Sequence, residues 1–93
     1  MTQRAPRIHT EAAAIDRLKA LQSELDAEMI AELHMQDGSV LVGTVVERPA
    51  IQQFLDSEGN EGSNGLLRLD SGEAPVQLLW LDQVQRVVRI GSR

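Results

Sequence analysis

From Ala14 the apolar residues recur three and four apart: Ala14, Ile15, Leu18, Leu21 and Leu25 form one stripe, with Asp16, Arg17, Lys19, Gln22, Glu24 and Asp26 on the opposite face. This is the period of an amphipathic helix, and it predicts one over about residues 11–26. Thr10 is the expected N-cap, and Glu11 adds negative charge where the helix dipole favours it. From Met29 the period falls to two. Met29, Ala31, Leu33 and Met35 alternate with Ile30, Glu32, His34 and Gln36, which predicts a half-buried strand with His34 on its exposed face. Asp37-Gly38 then predicts a type I′ hairpin. Val40 to Glu47 returns as a second strand, and Gly43 within it marks a sharp bend or a close approach of backbone. Pro49 lacks a ladder donor, so the chain must kink or leave the sheet there.

Residues 56–65, DSEGNEGSNG, contain no large apolar side chain and are expected to form a flexible acidic loop. Leu66, Leu67 and Leu69 make a short strand, turned by Asp70-Ser71-Gly72. Val76 to Leu81 and Val84 to Ile90 give the last two, joined tightly at Asp82-Gln83. The expectation is a mainly β protein: a flexible arm over 1–9, then a single domain over 10–93, one helix and five strands spanning about 29–90. Leu78-Leu79-Trp80-Leu81 is apolar on both faces, where a strand with one wet side should alternate. Its outer face needs a cover, supplied by the helix or by another subunit.

Composition narrows the chemistry. The chain has 93 residues, within the range of one domain, and 42% are hydrophobic. Phe54 and Trp80 are its aromatics, so the core is aliphatic. Without cysteine there is neither disulfide nor thiolate zinc site, and His9 and His34 lack metal-ligand spacing. No apolar run reaches the ~20 residues that span a bilayer. No apolar segment follows Arg4 and Arg7, so no secretory signal is read and the cytoplasm is the expected compartment. The net charge is −5. Residues 28–93 carry the deficit, with Arg48, Arg68, Arg86, Arg89 and Arg93 against ten carboxylates. An acidic body repels a phosphate backbone, and scattered arginines make no counterion-releasing patch.

Catalytic patterns are absent: no G-x-S-x-G elbow, no glycine-rich phosphate loop, and no carboxylate pair in apolar surroundings. The acidic stretch from Asp56 fails as a calcium loop, because Glu61 and Leu67 stand where an EF-hand needs glycine and a bidentate glutamate. Neither enzyme, metal nor cofactor is expected. Arg86, Arg89 and Arg93 guard an edge strand or form a small anion-binding rim, with edge protection the commoner role.

Ala31-x-Leu33-x-Met35-x-Asp37-Gly38, with Gly43-Thr44-Val45 following, resembles the first motif of the Sm-like family that includes Hfq. Leu78 to Val88 resembles the family's second motif, with Trp80 where Hfq has tyrosine. The chain is also similar to a small uncharacterised bacterial variant of that family. The resemblance implies a strongly bent, five-stranded, Sm-like or SH3-like antiparallel barrel capped by an N-terminal helix. It also implies pairing between copies through the last two strands, residues 76–81 against 84–90, with Val76, Leu78, Trp80, Val84 and Val87 at the interface. For RNA it offers two alternative contact sets: Gln53-Phe54, which resembles the Hfq Gln-Phe pair with a base-stacking ring, or Asn64, which resembles the base-contacting asparagine of Sm proteins. The extra residues leave both registers of 48–65 open. Each candidate also has a plainer role, Phe54 and Trp80 as packing aromatics and Asn64 as a turn residue. The family's RNA-contacting Lys-His pair falls on Leu81 and Asp82, a hydrophobe and an anion. The expected function is a non-catalytic, self-associating module acting through protein contacts, with Hfq-type RNA binding as the alternative.

Overall fold

The computed structural model describes residues 3–73 and 75–92. The helix α1 runs over Ala12–Glu24, within the predicted range. Thr10 is not its cap. Glu11 is the N-cap, with extended backbone and no side-chain capping bond, because His9 is still hydrogen-bonded to a strand and the chain cannot coil until it is released. The stripe faces the barrel, burying Leu18, Leu21 and Leu25.

Six strands follow: β1 Met29–Met35, β2 Val40–Val45, β3 Ile51–Leu55, β4 Glu61–Asp70, β5 Gln77–Trp80 and β6 Val84–Ser92. They form one curled antiparallel sheet in the order β3-β4-β2-β1-β6, with β5 on β4. The alternation in β1 appears as expected, with Met29, Ala31, Leu33 and Met35 inside. The Asp37-Gly38 hairpin forms, but not as a type I′ turn. Only Gly38 takes positive φ (90°), and the Gly38 N–H donates to the Met35 carbonyl at 3.0 Å. Asp37 stays out of the left-handed region because its carboxylate accepts from the Ser39 N–H and hydroxyl, an arrangement of a type I turn completed by glycine.

Gly43 does what its position suggests. A Cβ there would lie 2.8 Å from the Asp70 carbonyl oxygen and 2.9 Å from Leu69 Cγ. Hydrogen alone allows the end of β4 to cross β2, where Thr44 pairs with Asp70 and Val45 with Leu69. That crossing curls the sheet over a core that includes Val45, Leu67, Leu69, Leu81 and Val84.

One expectation fails outright. Residues 61–65 are not loop but the first half of β4, paired with β3 from Ile51↔Gly65 to Leu55↔Glu61. This also settles the register of that segment and adds a sixth strand. Only Asp56 to Asn60 turn, around the Asp56 carboxylate, which accepts from the Glu58 and Asn60 N–H groups. The stretch reads as loop because its side chains are small and polar, yet small side chains are what its neighbours require. A Cβ on Gly62 would meet Ile8 at 2.7 Å, and one on Gly65 would meet the Ala50 carbonyl oxygen at 3.0 Å.

A buried aspartate under the N-terminal arm

Residues 3–9, expected as a flexible arm, lie against the barrel. The Ala5 N–H donates to the Leu55 carbonyl (2.8 Å) and the Leu55 N–H to the Gln3 carbonyl (2.9 Å), on the edge of β3 away from β4. Four residues on, His9 and Ser63 exchange both backbone bonds, at 2.9 and 2.8 Å, on the edge of β4 away from β3. The arm therefore crosses the face of the β3–β4 hairpin between these points. Ile8 makes the crossing, seated in the notch left by Gly62.

The crossing delivers two side chains to Asp82, in the 3-10 turn Leu81–Gln83 between β5 and β6. Arg7 Nε donates to Asp82 Oδ2 at 2.8 Å and Nη2 to Oδ1 at 3.3 Å. His9 Nε2 lies 3.0 Å from Oδ2, and since an ionised carboxylate only accepts, this nitrogen carries the proton. The Asp82 side chain is only 4% exposed. Burial pushes its carboxyl up, but hydrogen bonds from Arg7 and His9 outweigh that and leave it below the ordinary aspartate range. Asn64 completes the group. Its Nδ2 donates to the Arg7 carbonyl at 3.0 Å, while its Oδ1 accepts from the Gly65 N–H (2.8 Å) and the Asp82 N–H (3.3 Å).

The residues singled out from sequence are scattered. Asn64 is at this site but fully buried, its amide spent on its own chain. Phe54 is 0% exposed and packs edge-on to Trp80, ring centroids 5.2 Å apart, so no face is open to a base. Gln53 is exposed and donates to the Ser63 hydroxyl at 2.8 Å. Of the interface candidates, Val76 and Leu78 are exposed and Trp80 half-buried. Val84, paired with Met35 beyond the bulge at His34/Met35, is wholly buried, and Val87, paired with Leu33, is half-buried against the core.

His34, half-buried, lies 2.7 Å from Glu32 and 3.2 Å from Arg86. Arg89 is held by Asp26 at 3.1 Å, and Arg93 lies outside the described residues. The groove of about 430 Å³ beside β5 is lined in part by Glu47, Arg48, Arg68 and Leu78, but Arg48 is paired with Asp26 and Arg68 faces Glu47. Among the described residues no three His, Asp or Glu side chains converge as metal ligands, and no helix is long and apolar enough to cross a membrane.

Arg7, His9 and Asp82 were not legible as a group. Residues 7 and 82 are 75 positions apart, and no spacing rule links an arm to a turn at that distance.

A family model described as "Domain of unknown function (DUF3247)" matches residues 2–90. No curated protein matches the chain. Among solved structures, the chain is similar to XC5848 from Xanthomonas campestris, described as adopting a novel variant of the Sm-like motif. The identity is 38%, the TM-score 0.88, and the match covers 95% of this chain and 97% of that one. The curled sheet, the Gly43 crossing and this match agree: the chain belongs to the DUF3247 family, with the fold of an Sm-like variant.

Proposed function

We propose that the protein is a non-catalytic Sm-like module that self-associates by pairing the free edge of β5 in one copy with the free edge of β6 in the next. The observation that carries this reading is the state of those two strands. Among the described residues β5 pairs only with β4, and β6 only with β1. Each thus offers a row of unpaired backbone groups. Apolar side chains stand at both: Leu78 is 63% exposed on β5, with Val76 just before it, and Ile90 is 56% exposed on β6. Two different edges meeting make a head-to-tail contact, which closes as a ring or runs on as a filament.

RNA binding is the weaker reading. The Phe54 ring is covered, the Asn64 amide is occupied, and an anion stands at residue 82. Among the described residues three of the barrel arginines are ion-paired too, Arg48 and Arg89 with Asp26 and Arg68 with Glu47. Light scattering on a sizing column tests self-association. The wild-type chain is expected as a dimer or larger at tens of micromolar, and Leu78→Lys with Ile90→Lys as a monomer. A wild-type monomer at that concentration removes the proposal. In the same runs short U-rich and A-rich strands, at on the order of 50 mM salt where phosphate attraction is strong, are expected not to co-elute.

A further inference from the structure

The ground beneath the arm meets Arg7, Ile8 and His9 residue by residue. Asp82 offers both carboxylate oxygens to a guanidinium, the fork geometry that distinguishes arginine from lysine. Asn64 takes the carbonyl of that same arginine, and is itself fixed by two backbone N–H groups. The Gly62 notch receives the aliphatic side chain of the next residue. Ser63 pairs with both backbone groups of the one after, and Asp82 takes its imidazole. Five features of Arg7-Ile8-His9 are thus recognised by neighbouring barrel residues, partly by strand addition.

We infer that the Asp82–Asn64 cradle is a recognition site for an extended Arg-aliphatic-His segment, and that the arm of a second copy enters it when the chain's own arm lets go. The exchanged arm would remake the same contacts, so exchange costs little beyond bringing two chains together. The hinge is in place. Thr10 and Glu11 are exposed, Glu11 is extended, and no side-chain cap ties the junction to α1. The site is distinct from the β5 and β6 edges, so it does not depend on the assembly proposed above.

The test uses a labelled peptide of residues 3–10 and the full chain. Arg7→Ala with His9→Ala in the protein disarms its own arm and leaves the cradle intact. By fluorescence anisotropy this variant should bind the peptide at least about tenfold more tightly than wild type, whose arm competes at an effective concentration in the millimolar range. Adding Asp82→Asn to the protein, or Arg7→Ala to the peptide, should each weaken binding at least tenfold. A disarmed variant that melts cooperatively yet ignores millimolar peptide overturns the inference. Should it fail to fold, labelled wild-type protein with excess unlabelled peptide gives the answer by NMR: the Ala5 and His9 amides of the displaced arm should move toward unstructured positions, and arm signals unmoved by millimolar peptide overturn the inference equally. The substitutions leave both free edges untouched, so loss of arm binding with assembly retained, or the reverse, separates this site from the edge-pairing reading.

Discussion

Two aspartates in this molecule hold the same kind of partners in different surroundings. Asp26, in the turn after α1, sits between Arg48 and Arg89. Asp82, in the turn before β6, sits between Arg7 and His9. Hydrogen bonds from Arg89 and Arg48 lower the Asp26 carboxyl, as those from Arg7 and His9 lower that of Asp82. The difference is water. The Asp26 side chain is 43% exposed and that of Asp82 only 4%. An exposed carboxylate that loses its partners is rehydrated, so its ion pairs contribute little. A buried one is left with its desolvation uncompensated, so its partners become hard to remove. Similar chemistry decorates one place and latches a chain segment in the other.

The sharpest way to break this comparison is to delete a partner at the buried site. Arg7→Ala should lower the unfolding free energy by about 2 kcal/mol, below the 3–5 typical of a fully buried pair because the arginine itself is partly exposed. Urea unfolding measures it, and hydrogen exchange should quicken at the Leu55 and Ser63 amides that the arm protects. A loss indistinguishable from zero would mean that burial adds nothing here.

Acid sharpens the comparison further. The Asp82 carboxyl titrates lower in the folded protein than in the unfolded chain, so the unfolded state takes up the proton first as pH falls. Its contribution is therefore complete above the ordinary aspartate value, and drains away as pH falls through that value to the lower folded one. The stability gap between wild type and Asp82→Asn should be flat from neutral pH down to about 5 and narrow below it. A gap that stays constant into strong acid would show that the charge on Asp82 is not what holds the arm.

The smallest effect is expected at Asp26. Asp26→Ala should leave the melting temperature within about a degree of wild type, and added salt should reduce even that difference. If it destabilised the protein as much as Arg7→Ala, exposure would not be what separates the two sites.

Much of this architecture can be read directly from the chain. The three- and four-residue spacing from Ala14 to Leu25 places the helix and its buried face, because one stripe of aliphatic groups has one way to leave water. The alternation of Met29 to Met35 does the same for β1, and Gly43 marks the crossing where β4 leaves no room for a side chain. These are local signals of period or of missing bulk. Residues 61–65 carry none. Glycine, serine and asparagine there become strand only because β3 lies on one edge and the arm on the other, and because Ile8 and the Ala50 carbonyl need the space that side chains would fill. The latch is further beyond local reading. An arginine, a histidine and an aspartate are ordinary surface residues until the fold brings residue 7 onto residue 82 and closes the arm over them, and only then does burial give their charges consequence.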